Sequence, residues 1–313
     1  MTHVSVILAT FNRKDEVLGC VESILDQTYK DFELLIMDDG SIDGTAAAFL
    51  DRWGDSVPEA GMAEEFIKNP LQFGKLSLPV NGVSVHYVYQ KNRGFSNACN
   101  RGFRMARGML VAFVDPDIRW APRRLERQTR IFHDRKTIIS VAGQTLVKNG
   151  RTAKRPMLPG SAGWIFGEVI NDRAVSYNAA LIHRRCLEII GGFDENLPHC
   201  EDYDLWVRLT ANFPIHTLLE PLIYSPQNRG ERRSWATNRF RVYALEKAFQ
   251  SGYLNPEYRA MVAEQIVSKC QKLVEGFQHK KNTERANFYE RKRRKFTSEV
   301  RKLSASRAQV EAR

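Results

Sequence analysis

At 313 residues the chain is long enough for one large α/β domain with an appended helical part. Its 43% hydrophobic and 27% charged content is ordinary for a folded globular protein, and no stretch reaches the roughly 20 apolar residues that a membrane-spanning helix needs. The formal charge of +11 is concentrated, with 14 Lys/Arg against 5 Asp/Glu in residues 269–313, so the nearly neutral body gives no nucleic-acid signal.

In chain order, residues 4–9 form a short apolar run followed by turn signals, which suits a buried strand rather than a secretory leader. Residues 15–27 place Val17, Leu18, Val21, Ile24 and Leu25 on one helical face. Residues 32–37 are a second apolar strand; Asp38-Asp39-Gly40-Ser41 follows, with Ser41 or Asp43 available to cap a helix to about Trp53. This alternation predicts a parallel sheet with crossover helices. Residues 55–84 break it: they are rich in Gly and Pro, without a clear period, and read as an inserted surface excursion. The rhythm resumes with a strand at 85–89, a helix at 95–107 and a strand at 109–114 that ends at Asp115-Pro116-Asp117. A helix at 121–133, strands at 138–142 and 175–182, and helices near 184–190 and 203–212 follow. From 236 to about 303 the sequence reads as helical, with breaks near 252–256 and 279–282. The five cysteines, at 20, 99, 186, 200 and 270, are odd in number and form no CxxC pair; this points away from a disulfide framework or structural zinc and toward a reducing cytoplasm.

Three acidic clusters carry candidate chemistry. Asp38-Asp39 lies where a strand ends, the edge at which open α/β sheets bind ligands, and a carboxylate there can accept from a base N–H or a ribose hydroxyl; Asp-Gly-Ser is equally ordinary turn chemistry. Asp115 and Asp117 repel each other without a cation, and their oxygens suit Mg²⁺ or Mn²⁺ able to hold a diphosphate; a plain exposed turn competes. Glu201-Asp202 opens a helix, where acids complement the dipole; a general base for an acceptor hydroxyl is the functional alternative. No phosphate-binding GxxxxGK[ST] or GxGxxG occurs.

Together these segments resemble the inverting family 2 glycosyltransferases of the GT-A fold. VSVILATFNR (4–13), LLIMDDGSIDGT (34–45), NRGFSNACNRGFRMARG (92–108), VAFVDPD (111–117) and GGFDENLPHCEDYDLWVRL (191–209) match that family's motifs in its order, over about residues 3–225. The resemblance implies a Rossmann-like, mostly parallel sheet flanked by helices, with a catalytic domain over 1–230 and a basic helical extension over 231–313. It implies that Thr10, Asn12 and Asp39 hold the nucleoside, with Arg13, Arg93, Gly94 and Asn97 completing the nucleotide-sugar set. Asp115 would meet ribose or metal, Asp117 the metal (Mn²⁺ or Mg²⁺), and Asp202, with Glu201 beside it, would take the acceptor proton in an inverting displacement.

Three departures from the pattern stand out. Cys99 replaces an expected Arg, for which Arg93 or Arg101 could compensate. Gln227 or Asn228 stands where many members have a metal-ligating His, and Ile118 leaves the D-x-D without a third acid. Trp164 and Trp206 are the candidate acceptor contacts, a sugar platform being weighed against ordinary packing. Arg232-Arg233-Ser234-Trp235 faintly matches a motif of processive members, although non-processive transfer fits better. The expected donor is a nucleotide-diphospho-sugar, UDP-sugar favoured, and the acceptor a glycan, lipid or protein in polysaccharide or glycoconjugate synthesis. The run ERKRRK at 290–295 offers peripheral contact with the inner face of a membrane, self-association, or a merely solvated helix. A non-catalytic nucleotide-sugar or glycan-binding module on a degenerate fold is the alternative function.

Overall fold

The structure, a computed structural model, describes residues 3–57, 59, 61–133, 137–154, 162–172, 175–226 and 235–311. The strands are β1 (Val4–Thr10), β2 (Phe32–Asp38), β3 (Lys75–Val80), β4 (Val83–Tyr89), β5 (Leu110–Val114), β6 (Arg119–Trp120), β7 (Ile139–Lys148), β8 (Arg151–Lys154), β9 (Ala162–Gly163), β10 (Ala180–His183) and β11 (Ile215–Pro226). The helices are α1 (Lys14–Leu25), α2 (Thr45–Trp53), α3 (Met62–Lys68), α4 (Pro70–Phe73), α5 (Phe95–Met105), α6 (Arg124–Ile131), α7 (Phe166–Ile170), α8 (Arg184–Ile190), α9 (Glu201–Asn212), α10 (Asn238–Gln250), α11 (Pro256–His279) and α12 (Thr283–Glu311). They sort into two compact units. The first holds residues 1–163, 175–195 and 214–229; the second holds 164–174, 196–213 and 230–313. The helical second unit thus draws α7 and α9 from before residue 230 as well as the C-terminal helices.

The first unit is one mixed sheet in the order β3-β4-β2-β1-β5-β10-β7-β11-β6, with β8 paired to β7 and β9 to β11. Its heart is parallel: β1 lies between β2 and β5, and β2 also pairs with β4. Every residue of β1, β2 and β5 is buried, as expected for strands covered on both faces. α5 packs closely on this heart because of Gly102, where a Cβ would come within 2.6 Å of Ile7 Cγ2.

The expected excursion at 55–84 is more ordered than its composition suggests. Residues 75–80 form the edge strand β3, antiparallel to β4, with Leu76, Leu78 and Val80 turned inward. Phe66 of α3 is fully buried, edge-on to Tyr87 at 5.8 Å. Likewise the strand expected over 175–182 is strand only from Ala180, preceded by a 3₁₀ turn at Tyr177–Ala179.

One polar cluster is buried among the parallel strands. Glu33 accepts from Ser5 Oγ (2.6 Å) and the Arg107 N–H (2.6 Å), with His86 Nε2 at 3.6 Å from its other oxygen. Burial pushes its carboxyl up, but the bonds from His86, Ser5 and Arg107 outweigh it and bring the pKa to about 2 from an ordinary 4.5. The depressed value means that Glu33 stabilises the fold above pH 4.5 and loses that contribution as pH falls toward 2. Urea unfolding of the wild type should therefore lose about 3 kcal/mol across this window beyond what Glu33→Gln loses. Parallel stability curves for the two proteins would contradict it.

The second unit is helical. Asp204 of α9, 1% exposed, pairs with Arg208 one turn on and with Lys247 of α10 (2.6 Å). α11 and α12 form a hairpin in which Phe277 stacks on Tyr289 at 5.7 Å, and Lys292 reaches Glu246 of α10 (2.6 Å). The breaks expected at 252–256 and 279–282 fall between these helices.

Candidate active site

Parallel strands all end on the same edge, and it is there that β1, β2 and β5 deliver Thr10, Asp38-Asp39 and Asp115. Asp38 turns inward. It is fully buried, accepting from Tyr87 Oη and the Ser41 N–H (2.8 Å), and burial raises its carboxyl against those bonds. Asp39 extends the ladder by donating its N–H to the Thr10 carbonyl (2.9 Å). Its carboxylate, 3% exposed, accepts from Gln90 Nε2 (2.7 Å), the Arg93 N–H (2.9 Å) and the Gly94 N–H (2.7 Å). A carboxylate offers about four lone-pair sites, so these three bonds leave Oδ2 room for one more donor. Beside it the Thr10 hydroxyl is buried with no hydrogen-bond partner. An unmatched buried hydroxyl costs roughly 1–3 kcal/mol, which a ligand group at this edge would relieve.

Two loops beyond the strands are clasped together. Asn12 Oδ1 accepts from the Ile42 N–H (2.9 Å), the Asn12 N–H donates to Ser41 Oγ (2.9 Å), and Asp43 accepts from the Lys14 N–H (3.0 Å). Asn12 sits at φ +49°, a left-handed conformation that asparagine tolerates. Arg13 is half exposed and pairs with Glu16 at 3.3 Å. Asp43, rather than Ser41, meets the start of α2, accepting from the Thr45 N–H (3.1 Å).

The segment 90–101 supports Asp39. Gln90 is its hub: Nε2 donates to Asp39 and to Asn97 Oδ1 (3.2 Å), while Oε1 accepts from Arg101 (3.1 Å). Arginine has only donors, so this bond fixes which way the amide points and turns its NH₂ toward Asp39. Cys99 is buried. Arg101 thus reaches this network by side chain and Arg93 by its backbone N–H. Asn97 Nδ2 donates to Glu195 (2.7 Å), as does Asn100 Nδ2 to its other oxygen (2.9 Å), so Asn97 links Gln90 to the loop after Gly191-Gly192. Those two amides hold the Glu195 carboxyl below its ordinary range.

Asp115 and Asp117 are both partly exposed at the end of β5, with Ile118 fully buried and its N–H closing the turn onto the Asp115 carbonyl (3.1 Å). Tyr177 Oη (2.6 Å) and Asn178 Nδ2 (3.0 Å) donate to the Asp115 carboxylate, and Asn178 Oδ1 accepts the Asp115 N–H (2.7 Å). Two hard carboxylates one residue apart fit a divalent cation that takes its remaining ligands from a diphosphate. Among the described residues no third His, Cys, Asp or Glu joins them. Gln227, Asn228 and Arg232-Arg233-Ser234 lie outside the described residues.

In the second unit, Glu201 and Asp202 are partly exposed in the first turn of α9, and Asp202 Oδ1 accepts from the Tyr203 N–H (2.7 Å). Trp206 is 2% exposed and belongs to the core, which leaves it no face for a sugar, whereas Trp164 is 58% exposed. Sequence reading missed Gln90, Tyr177, Asn178 and Glu195 as parts of the site. Gln90 carried a signal, one residue beyond a predicted strand, and Glu195 lay within the matched segment 191–209.

Comparison with known proteins bears on the family and the fold. The Glycosyl transferase family 2 model matches residues 5–53 and 64–187, skipping only the start of the unusual segment, and the Glycosyltransferase like family 2 model matches 162–258. An uncharacterized glycosyltransferase of Rickettsia typhi is 25% identical over 80% of this chain and 71% of its own length. The putative teichuronic acid biosynthesis glycosyltransferase TuaG of Bacillus subtilis is 25% identical over 58% of this chain and 62% of its own. Chondroitin synthase of Escherichia coli is 23% identical over 74% of this chain, which spans only 30% of that protein. In fold, the chain is similar to S. aureus TarS 1-349 in complex with UDP (TM-score 0.63, 15% identity, 98% of this chain and 91% of that one). It is also similar to the mannosyltransferase PcManGT of Pyrobaculum calidifontis in complex with GDP-Man and Mn²⁺ (TM-score 0.56, 17% identity, 99% and 81%). With its family model matched over more than half of its residues, on an α/β sheet that brings Asp38-Asp39 and Asp115 to one edge, this chain belongs to glycosyl transferase family 2 and is a sugar-transferring enzyme.

Proposed function

We propose that the chain moves a sugar from a nucleotide-diphosphate donor, a UDP-sugar in the first instance, to an acceptor hydroxyl with inversion, in polysaccharide or glycoconjugate assembly. The observation that carries the reading is the set at one strand edge: the partnerless Thr10 hydroxyl, the Asp39 carboxylate with one acceptor place left, and the Asp115–Asp117 pair. Asp39 and Asp115 end strands two positions apart, roughly 10 Å by interstrand spacing, a gap that a nucleoside bridges. In this reading Thr10 and Asp39 take the nucleoside, and Asp115 and Asp117 take Mn²⁺ or Mg²⁺ with the diphosphate. A bound divalent cation supplies neutralisation of the charge on the departing diphosphate. Asp202 accepts the acceptor proton as the oxygen attacks from the face opposite the phosphate, with Glu201 beside it. The UDP complexes of TarS and the position of TuaG in teichuronic acid biosynthesis support the donor and the setting.

The test is thermal unfolding with Mn²⁺ and UDP, dTDP, GDP or CDP. A ligand that binds only the folded state raises the melting temperature, by about 2.7 kcal/mol of stabilisation at a hundredfold excess over Kd. The largest shift is expected with UDP, and no shift with any of the four would count against transfer and favour a degenerate binding module. The α12 helix, where Phe288, Arg291, Arg294 and Lys295 are exposed, supports peripheral contact with an anionic membrane on the cytoplasmic side. Co-sedimentation with phosphatidylglycerol vesicles at low salt, lost at high salt, is the expected result. Self-association or a solvated helix would leave the protein in the supernatant.

A further inference from the structure

What sits behind Asp115 follows from strand direction. β10 runs antiparallel to β5, with Ile182 opposite Val111 and His183 opposite Leu110. The residues just before β10 must therefore lie beside the residues just after β5, and the 3₁₀ turn at Tyr177–Ala179 lands against Asp115, more than 60 residues away in sequence. Both carboxylate oxygens are taken up by this one turn, Oδ1 by the Tyr177 hydroxyl at 2.6 Å and Oδ2 by Asn178 Nδ2 at 3.0 Å. Asn178 is 1% exposed, and its Oδ1 accepts the Asp115 N–H, so its NH₂ is the end that must face the carboxylate. The Tyr177 ring is itself braced, 5.8 Å from the Phe95 ring and 6.0 Å from that of Phe193.

We propose that Tyr177 and Asn178 are positioning residues that hold the Asp115 carboxylate in one orientation and thereby set the affinity of the strand edge for its divalent cation. The proposal rests on the reading of Asp115 and Asp117 as cation ligands and deepens it. A carboxylate that rotates freely must be ordered when the ion binds. One already gripped by two neutral donors pays that entropy during folding. Neutral donors serve this purpose better than cations would, because they orient the carboxylate without cancelling the charge that attracts the metal.

The test uses the full chain. Free Mn²⁺ is counted by electron paramagnetic resonance as protein is titrated with Mn²⁺ and UDP, and metal-free uridine binding is followed by calorimetry. Tyr177→Phe keeps the braced ring and deletes only the hydroxyl. It should weaken Mn²⁺ binding by roughly 10–100-fold, the usual effect of removing such an outer partner, while uridine affinity and the metal-free melting temperature stay at wild-type values. Asn178→Ala removes the other donor and should shift the Mn²⁺ curve in the same direction. Asp115→Ala separates the two levels of the argument. If it matches the wild-type Mn²⁺ curve, the cation site itself is misassigned and the proposal falls with it. If Asp115→Ala loses Mn²⁺ while Tyr177→Phe and Asn178→Ala bind it like wild type, the cation site stands and the positioning role is overturned.

Discussion

Replacing Asp202 with Asn is expected to lower kcat by about 10²–10⁴-fold at saturating donor, the usual worth of a positioned general base. The substitution is close to isosteric. Asp202 Oδ1 accepts from the Tyr203 N–H, a bond that an asparagine oxygen keeps, so the first turn of α9 should survive. What is lost is the capacity to take a proton. Nucleotide-induced thermal shifts should be unchanged, because Asp202 is assigned to the acceptor proton, and Thr10 and Asp39 to the nucleoside. The neighbouring acids provide the contrast. Asp204 is buried and pairs with Arg208 and Lys247, so its replacement breaks a buried ion pair and should appear as lost stability, about 3–5 kcal/mol, rather than as a selective loss of kcat. Wild-type turnover by a folded Asp202→Asn protein would remove Asp202 from the mechanism.

The parallel heart of the fold was legible because the motif residues at its strand ends directly follow apolar runs: VSVILA before Thr10, LLIM before Asp38, LVAFV before Asp115. Buried parallel strands leave that signature, and strand ends are where such sheets place ligands. The segment KLSLPV was misread for an opposite reason. Its period-two pattern was present, but Pro and nearby Gly outweighed it; Pro79 is tolerated because β3 is an edge strand that pairs only with β4. Asn97, expected at the nucleotide, is bonded to Gln90 and Glu195, and Trp206, expected at the acceptor, is core. Neither outcome could be read locally, since an amide or an indole on a helix says nothing about which neighbour it meets. Tyr177 and Asn178 were invisible for the same reason: their partner Asp115 lies 62 and 63 residues away, and the antiparallel placement of β10 brings them together.

Asp117→Ala should abolish the Mn²⁺-dependent part of the nucleotide-induced thermal shift and lower kcat/KM by roughly 10³-fold, since a cation at a developing charge supplies several kcal/mol of transition-state stabilisation. The turn itself should persist, because its anchors lie elsewhere: Ile118 is fully buried, the Ile118 N–H closes onto the Asp115 carbonyl, and Tyr177 and Asn178 hold Asp115. One carboxylate then remains of two, too few hard ligands to retain the ion once the diphosphate leaves. Removing Asp115 instead has a different signature. It also takes the acceptor away from the Asn178 amide, which is 1% exposed, so Asp115→Ala should lose metal-free stability as well as metal binding. The nucleoside contribution through Thr10 and Asp39 should survive in both, as a residual shift with UDP in the presence of EDTA. An Asp117→Ala protein whose UDP shift still grows with Mn²⁺ as in wild type would show that the ion, if one binds, is held by other groups.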